Sequence, residues 1–252
     1  MEENGIWGEE KESGASDPLV VGLRVMSVMA APSPSLDTLT LTINEIFHSI
    51  QGESTYAGLP CVFVRLTACD LRCTYCDTEY AFYEGKKRTL AAILAEVKGY
   101  GCPLVEVTGG EPLLQKNVHP LMKALADEGY TVLLETSGAH DIGPVDPRVH
   151  RIMDLKCPGS GEVARNRAEN LPLLEARDEV KFVGGSEEDY AWAKAQIEGG
   201  AWAGRVNAIL ISPVFGKIDL RFLAEAILKD NLSVRLQVQM HKLIWEPNKR
   251  GV

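Results

Sequence analysis

Residues 63–78, Phe-Val-Arg-Leu-Thr-Ala-Cys-Asp-Leu-Arg-Cys-Thr-Tyr-Cys-Asp-Thr, run from a β-branched stretch straight into Cys69, Cys73 and Cys76 at a C-x3-C-x2-C spacing. Only six cysteines occur in the 252 residues, so chance rarely produces this triple. Three thiolates on one short loop can hold three irons of a 4Fe–4S cluster and leave the fourth open to a small molecule. Zinc is the alternative. A structural zinc site takes four closed ligands, and neither a second cysteine pair nor a His-x3–5-His follows. Cys61, Cys102 and Cys157 stand singly in or beside apolar runs, where a small hydrophobe is the default reading.

Outward from that loop, short β-branched runs alternate with helical stretches, the pattern of parallel strands joined by crossover helices. Strands are expected at 39–47, 61–66, 104–108, 131–135, 151–155, 179–183, 206–211 and 234–238, and helices at 89–98, 118–128, 186–198 and 219–229. Ser186 with Asp189 three residues on resembles a capping box, and Gly129 is placed to end its helix. No G-x-G-x-x-G occurs, which disfavours a dinucleotide fold. The expected fold is α/β, a partial (β/α) barrel in one domain over 38–252. In such barrels chemistry collects where strands end. Thr108, Glu111, Glu135, Ser137, Asp154, Lys156, Ser212, Gln237, Gln239 and His241 all fall there, although wet loops make many strand ends polar.

Residues 1–37 carry seven acids against Lys11 and Arg24, so five of the nine net negative charges lie there. This Gly-, Ser-, Pro- and Glu-rich stretch has no sustained period and reads as a disordered extension, with Met26 or Met29 as alternative starts. The remainder has no basic face for nucleic acid, and Lys86-Lys87-Arg88 reads as a solvated loop. No apolar run approaches membrane-spanning length, and the acidic start does not resemble a secretory signal. A cytoplasmic protein with reduced thiols is the expectation.

The cluster segment, with Tyr75 before its last cysteine, and Thr108-Gly109-Gly110-Glu111-Pro112 resemble the signature segments of the radical S-adenosylmethionine (SAM) enzymes. Together with SIQGES (49–54), TGGEPLLQ (108–115), LETSG (134–138) and LQVQMHK (236–242), they are similar to the 7-carboxy-7-deazaguanine synthase family of queuosine and deazapurine biosynthesis. That resemblance implies a radical SAM partial barrel with a 4Fe–4S cluster, S-adenosylmethionine and Mg²⁺. The implied lyase reaction is a radical ring contraction of 6-carboxy-5,6,7,8-tetrahydropterin with loss of ammonia. It also implies a homodimer and an electron donor of the flavodoxin or ferredoxin type.

Within that resemblance, Cys69, Cys73 and Cys76 ligate the cluster and Thr78 ligates Mg²⁺, although Thr78 alone reads as a turn or cap residue. Tyr75, Gly109, Gly110, Glu111, Ser137 and Lys156 belong to the cofactor site; the two glycines let backbone approach a ligand closely. Gln51, Glu53, Arg65, Thr108, Glu135, Gln239 and His241 belong to the substrate site. Arg65 lies in Val62-Phe63-Val64-Arg65-Leu66, where a lone buried guanidinium would cost several kcal/mol, so it needs either a substrate carboxylate or a structural acid. Glu53 is otherwise a turn residue and His241 otherwise a structural or exposed one. A glycyl-radical activase would share the cluster and the TGGEP turn, and a zinc module only the thiols.

Cys69→Ala, Cys73→Ala and Cys76→Ala are each expected to abolish release of 5′-deoxyadenosine after anaerobic reconstitution, with iron and sulfide content falling in parallel. Full release from any one of them rules that thiol out as a ligand.

Overall fold

The computed structural model describes residues 35–252, and the extension expected over 1–37 lies outside them except for its last three residues. Those three open a turn in which the Thr38 amide donates to Ser35 O (2.9 Å), and Leu36 packs on the core.

Among the described residues nine strands form one sheet in the order β3-β1-β2-β4-β5-β6-β7-β8-β9. The first hairpin is antiparallel: β1 (Thr40–Ile50) pairs with β2 (Pro60–Leu66) through a bulge between Ile43 and Glu45. From β2 onward every pairing is parallel, through β4 (Leu104–Gly109), β5 (Thr131–Thr136), β6 (His150–Asp154), β7 (Glu179–Gly184), β8 (Ala208–Pro213) and the two-residue β9 (Arg235–Leu236). This is the expected radical SAM α/β architecture with a mostly parallel open sheet. One expectation is corrected: Lys86-Lys87-Arg88 is not a loop but lies in β3 (Lys86–Thr89), antiparallel to β1 at the sheet edge. Exposed lysines on an edge strand also discourage pairing with another chain.

Helices α1 (Leu90–Gly99) and α2 (Val118–Asp127) each bury a stripe at i, i+3, i+4 and i+7: Leu90, Ile93, Leu94 and Val97 in one, Val118, Leu121, Met122 and Leu125 in the other. The Thr89 hydroxyl accepts from Ala92 N (3.2 Å) to start α1, and Gly129, at φ +88°, follows the end of α2. Ser186 caps α3 (Glu187–Gly199) by accepting from Asp189 N. The capping box is only half made, because the Asp189 carboxylate instead accepts from Gly159 N (2.7 Å) and Gly185 N (2.9 Å). α4 (Leu220–Asp230) ends at Asn231 in the left-handed region. A short α5 (His241–Ile244), which hydrophobic periodicity does not announce, follows β9.

Strand side chains alternate between faces. Val62 and Val64 of β2 and Val105 and Val107 of β4 enter the apolar core, whereas Phe63, Arg65, Glu106 and Thr108 face the concave side. The hairpin loop 51–59 crosses the end at which the parallel strands begin. There Thr55 N donates to the Glu179 carboxylate of β7 (3.1 Å), and Gln237 Nε2 donates to Ser54 O (2.9 Å). The loop therefore plugs that end and brings Gln51 and Glu53 inside.

At the base of β6, Arg151 is buried against Asp178, which is fully buried and also accepts from Glu175 N (2.7 Å). Asp178→Ala strands the guanidinium and is expected to destabilise the fold by about 3–5 kcal/mol, measured by urea denaturation. A loss below about 1 kcal/mol would show that water reaches Arg151.

Candidate active site

The concave face holds an open cavity of about 730 Å³ lined by all three loop cysteines, by strand residues from β1 to β7 and by the carboxyl-terminal segment. The loop carrying the thiols leaves β2 and is docked at several points. Tyr75 donates its hydroxyl to Val183 O (2.8 Å), Thr74 Oγ1 donates to Gly159 O (2.7 Å), and Asp70 pairs with Arg165 and His140. The Gly109–Gly110 turn lies directly against it: Gly110 N donates to Leu66 O (3.1 Å) and Glu111 N to Ala68 O (2.8 Å). A Cβ on Gly110 would lie 2.2 Å from Ala68 O, so glycine is required by this backbone approach as well as by any ligand.

Cys69, Cys73 and Cys76 are half-buried, and burial pushes each thiol above its ordinary value. They open onto the same cavity, yet among the described residues no three His, Cys, Asp or Glu side chains converge tightly enough to hold a single ion. A cubane spreads its thiolates wider than one zinc ion does and needs no fourth protein ligand here, so the thiols fit a 4Fe–4S cluster better. Cys61, Cys102 and Cys157 are buried in the core away from the cavity.

Arg65 reconciles the two alternatives left by its sequence. Its Nε donates to Glu45 Oε1 (2.9 Å), which also accepts from Tyr80 OH (2.8 Å), and its guanidinium lies over the Phe47 and Tyr80 rings. Both terminal nitrogens make no hydrogen bond among the described residues, and the side chain lines the cavity. Glu45 thus aims a two-pronged cation inward.

Opposite charge is held by Lys181 of β7, whose Nζ bonds Glu53 Oε2 (2.9 Å) and Glu135 Oε1. Thr108 Oγ1 donates to Glu135 Oε2 (3.1 Å), and Gln239 Nε2 donates to Glu53 Oε1 (3.0 Å). Burial raises the Glu135 carboxyl, but the Lys181 charge and hydrogen bond more than offset it and hold it below the ordinary glutamate value. Gln51 bridges two groups, accepting from Glu53 N (3.1 Å) and donating Nε2 to Glu106. His241 packs on Gly52, where a Cβ would meet its Nδ1 at 2.4 Å, and burial keeps its pKa below the ordinary histidine value.

Nearer the thiols, Lys156 Nζ donates to Asp154 Oδ2 (2.7 Å), while Asp154 Oδ1 is buried without a partner among the described residues. Ser137 lines the cavity but donates its hydroxyl to Glu111 Oε2 (2.5 Å). Glu111, expected at the cofactor, does not line the cavity. It is fully buried, accepting also from Leu113 N (2.9 Å), Thr136 Oγ1 (2.9 Å) and Ser137 N (2.8 Å), so it braces the glycine turn against β5. Ser212 and Gln237, also in the expected polar ring, lie outside the lining as well. Thr78 opens onto the cavity with Oγ1 donating to Asp77 Oδ1 (2.8 Å). Burial raises Asp77, but Lys242 at 2.6 Å more than compensates and depresses it strongly. The tail beyond His241 turns back across the mouth: Arg250 lies 3.8 Å from the Tyr80 ring centroid, donates to Glu84 Oε2 (2.9 Å), and with Pro247–Val252 lines the cavity.

Sequence reasoning did not select Glu106 or Lys181. The signal was present: each is a charge flanked on both sides by apolar strand residues, Val105-Glu106-Val107 and Val180-Lys181-Phe182, the same anomaly that marked Arg65.

The general model of the radical SAM superfamily matches residues 64–157. A protein of Chlorobaculum tepidum named 7-carboxy-7-deazaguanine synthase is 50% identical, the match covering 84% of this chain and 97% of that one. Its namesake from Koribacter versatilis is 44% identical, over 84% of this chain and all of the relative. The crystal structure of QueE from Escherichia coli superposes with a TM-score of 0.68 at 24% identity, covering 82% of this chain and 96% of that one.

Lys181→Met tests the electrostatics directly. In the parent, the depressed Glu135 contributes stability that is present above the ordinary glutamate pKa and is lost as pH falls through its folded value. Without the ammonium, burial outweighs the Thr108 hydrogen bond and the Arg65 charge that remain, Glu135 rises, and its contribution is present at low pH and lost as pH increases. The variant's stability deficit is expected to be larger at about pH 8 than at about pH 5, by ~1 kcal/mol or more, in urea denaturation. Equal deficits would mean that Lys181 does not hold the Glu135 charge.

Proposed function

Because the chain belongs to the 7-carboxy-7-deazaguanine synthase family of the radical SAM superfamily, we propose that this cavity carries out the family's reaction. It is a lyase that converts 6-carboxy-5,6,7,8-tetrahydropterin to 7-carboxy-7-deazaguanine by a radical ring contraction with loss of ammonia, in queuosine and deazapurine biosynthesis. The observation that carries the reading is the presence, in one cavity, of three loop thiols, an inward guanidinium with two free prongs, and a lysine-held carboxylate pair.

When bound, a 4Fe–4S cluster with S-adenosylmethionine supplies the 5′-deoxyadenosyl radical that takes a hydrogen atom from the substrate. Cys69, Cys73 and Cys76 would hold the cluster, with Tyr75 anchoring their loop from the Val183 side. Backbone at Gly109 and Gly110 lines the cavity beside them and suits an amino group, while Ser137 and Lys156 lie within reach of polar groups of the cofactor.

Arg65 would take the substrate carboxylate with its two terminal nitrogens, a planar match that a lysine could not reproduce. Glu53 and Glu135 would accept from the amidine-like N–H edge of the pterin, with Thr108 and Gln239 fixing their rotamers and Gln51 holding the Glu53 backbone. His241, neutral and stacked on Gly52, offers one ring nitrogen as donor and the other as acceptor. The Thr78 hydroxyl is a hard oxygen facing the same space, which suits a Mg²⁺ held by one protein oxygen plus substrate oxygens. The tail from Pro247 to Val252 shields the site from water and side reactions.

An electron carrier of the flavodoxin or ferredoxin type, a homodimeric assembly and a cytoplasmic setting belong to the same reading. Among the described residues no helix is long and apolar enough to cross a membrane.

Anaerobically reconstituted protein, given reductant, S-adenosylmethionine, Mg²⁺ and the pterin, is expected to form 7-carboxy-7-deazaguanine; cofactor cleavage without pterin turnover would overturn the reading. Arg65→Ala is expected to keep its iron and sulfide and to raise KM for the pterin by roughly 10- to 100-fold, the range for a lost charged hydrogen bond. Loss of cluster with unchanged KM would contradict the assigned role.

A further inference from the structure

Three glutamates face the inner part of the cavity, and only two of them share the cation. Lys181 bonds Glu53 and Glu135, whereas Glu106 makes no ion pair among the described residues. Glu106 sits in the middle of β4, in register with Phe63 of β2 and Leu133 of β5, and is 4% exposed. Its one side-chain hydrogen bond among the described residues comes from Gln51 Nε2 to Oε2, and it lines the cavity. A purely structural Gln–Glu pair would have both carboxyl oxygens occupied, as those of Glu111 are.

Its surroundings decide its protonation. Burial raises the Glu106 carboxyl well above the ordinary range, and the negative charges of Glu135 and Glu53 push the same way; the Gln51 hydrogen bond and the Lys181 charge oppose them without prevailing. Of the other charged side chains on this face, Arg65 is tied at Nε to Glu45, and Asp154 of β6 is paired with Lys156. A neutral carboxyl differs from its neighbours in one chemical respect: it has a proton to give.

Resting on the pterin reading above, we propose that Glu106 is a substrate-contacting residue that donates a hydrogen bond to the ring carbonyl of the pterin, complementing the acceptors Glu53 and Glu135. The pyrimidinone edge of a pterin presents an amino group, a ring N–H and a carbonyl in succession: two donors, then an acceptor. A lysine-held carboxylate pair beside a protonated acid is the matching set. The three glutamates are therefore not equivalent, and the cavity selects against a ligand whose carbonyl is absent or replaced by a donor.

The test compares the parent with Glu106→Ala and Glu106→Gln in the reconstituted enzyme, measuring KM and kcat for 6-carboxy-5,6,7,8-tetrahydropterin. Inhibition by an otherwise identical pterin carrying two hydrogens in place of the ring carbonyl oxygen, which keeps the neighbouring ring N–H, is measured beside them. Iron and sulfide content and reductant-driven release of 5′-deoxyadenosine establish that each variant is folded and loaded. Should Glu106→Ala not fold, Glu106→Met, of similar length and without a donor, replaces it. The expected results are a KM raised by roughly 10-fold in the donor-less variant, with most of that loss recovered by Glu106→Gln, whose amide N–H reaches the same place. Parent and donor-less variant should bind the carbonyl-free analogue alike. An unchanged KM in the donor-less variant, no rescue by glutamine, or an equal loss toward the analogue overturns the proposal. A parent that does not turn the pterin over sinks the proposed function and this inference together; a parent that does, with any of those three results, sinks this inference alone.

Discussion

One buried ammonium, Lys181 Nζ, stands between Glu53 and Glu135, and the interior of the partial barrel depends on it. Two carboxylates in such a space repel each other and forfeit hydration; a shared cation returns much of that loss only where geometry and further hydrogen bonds are good. Here Thr108 and Gln239 supply the extra bonds. The ion triad also joins parts of the chain that are far apart in sequence. Glu53 comes from the first hairpin loop, 128 residues before Lys181, Glu135 from β5, 46 residues before it, and Gln239 from the segment after β9. Hydrogen bonds from Thr55 to Glu179 and from Gln237 to Ser54 hold the same loop across the sheet end. An open parallel sheet thereby acquires a floor, and that floor carries charge.

The thiol loop is secured by a different means, backbone against backbone. Leu66 and Ala68 carbonyls accept from the glycine turn, and Glu111 turns inward to gather the amide of Leu113, the hydroxyl of Thr136 and both the amide and hydroxyl of Ser137. A carboxylate with this many donors is a fixed strut. It couples the position of the thiols to β5, the strand that also carries Glu135. The thiol loop and the carboxylate pair are consequently braced through one strand, which suits radical chemistry, where the reacting atoms must meet at short range.

Charge inside the cavity is segregated rather than cancelled. The Arg65 cation is tethered by Glu45 on the β1 side, the anions are held by Lys181 on the β7 side, and the Asp77–Lys242 pair fastens the carboxyl-terminal segment beside the last thiol. Arg250 on Tyr80 and Glu84 brings the tail across the mouth. A substrate with a carboxylate at one end and N–H donors at the other has a single favourable orientation in that field.

Much of the site was legible because its residues announce themselves locally. Three cysteines on eight consecutive residues must share one loop whatever the fold does, and Arg65, alternating with Val62 and Val64, had to face away from the core they enter. Strand and helix positions followed from period and caps, with β3 missed because its Lys-Lys-Arg composition resembles a solvated turn. The sequence by itself determined the thiol triple, the alternating strands and the inward arginine, all matters of spacing along a few residues. Only the tertiary structure decided that Glu111 is a strut, that Lys181 pairs two distant glutamates and that Glu106 is paired with no cation among the described residues. Those facts depend on which chain segments the closing sheet brings within a hydrogen bond of each other, and no local period encodes that.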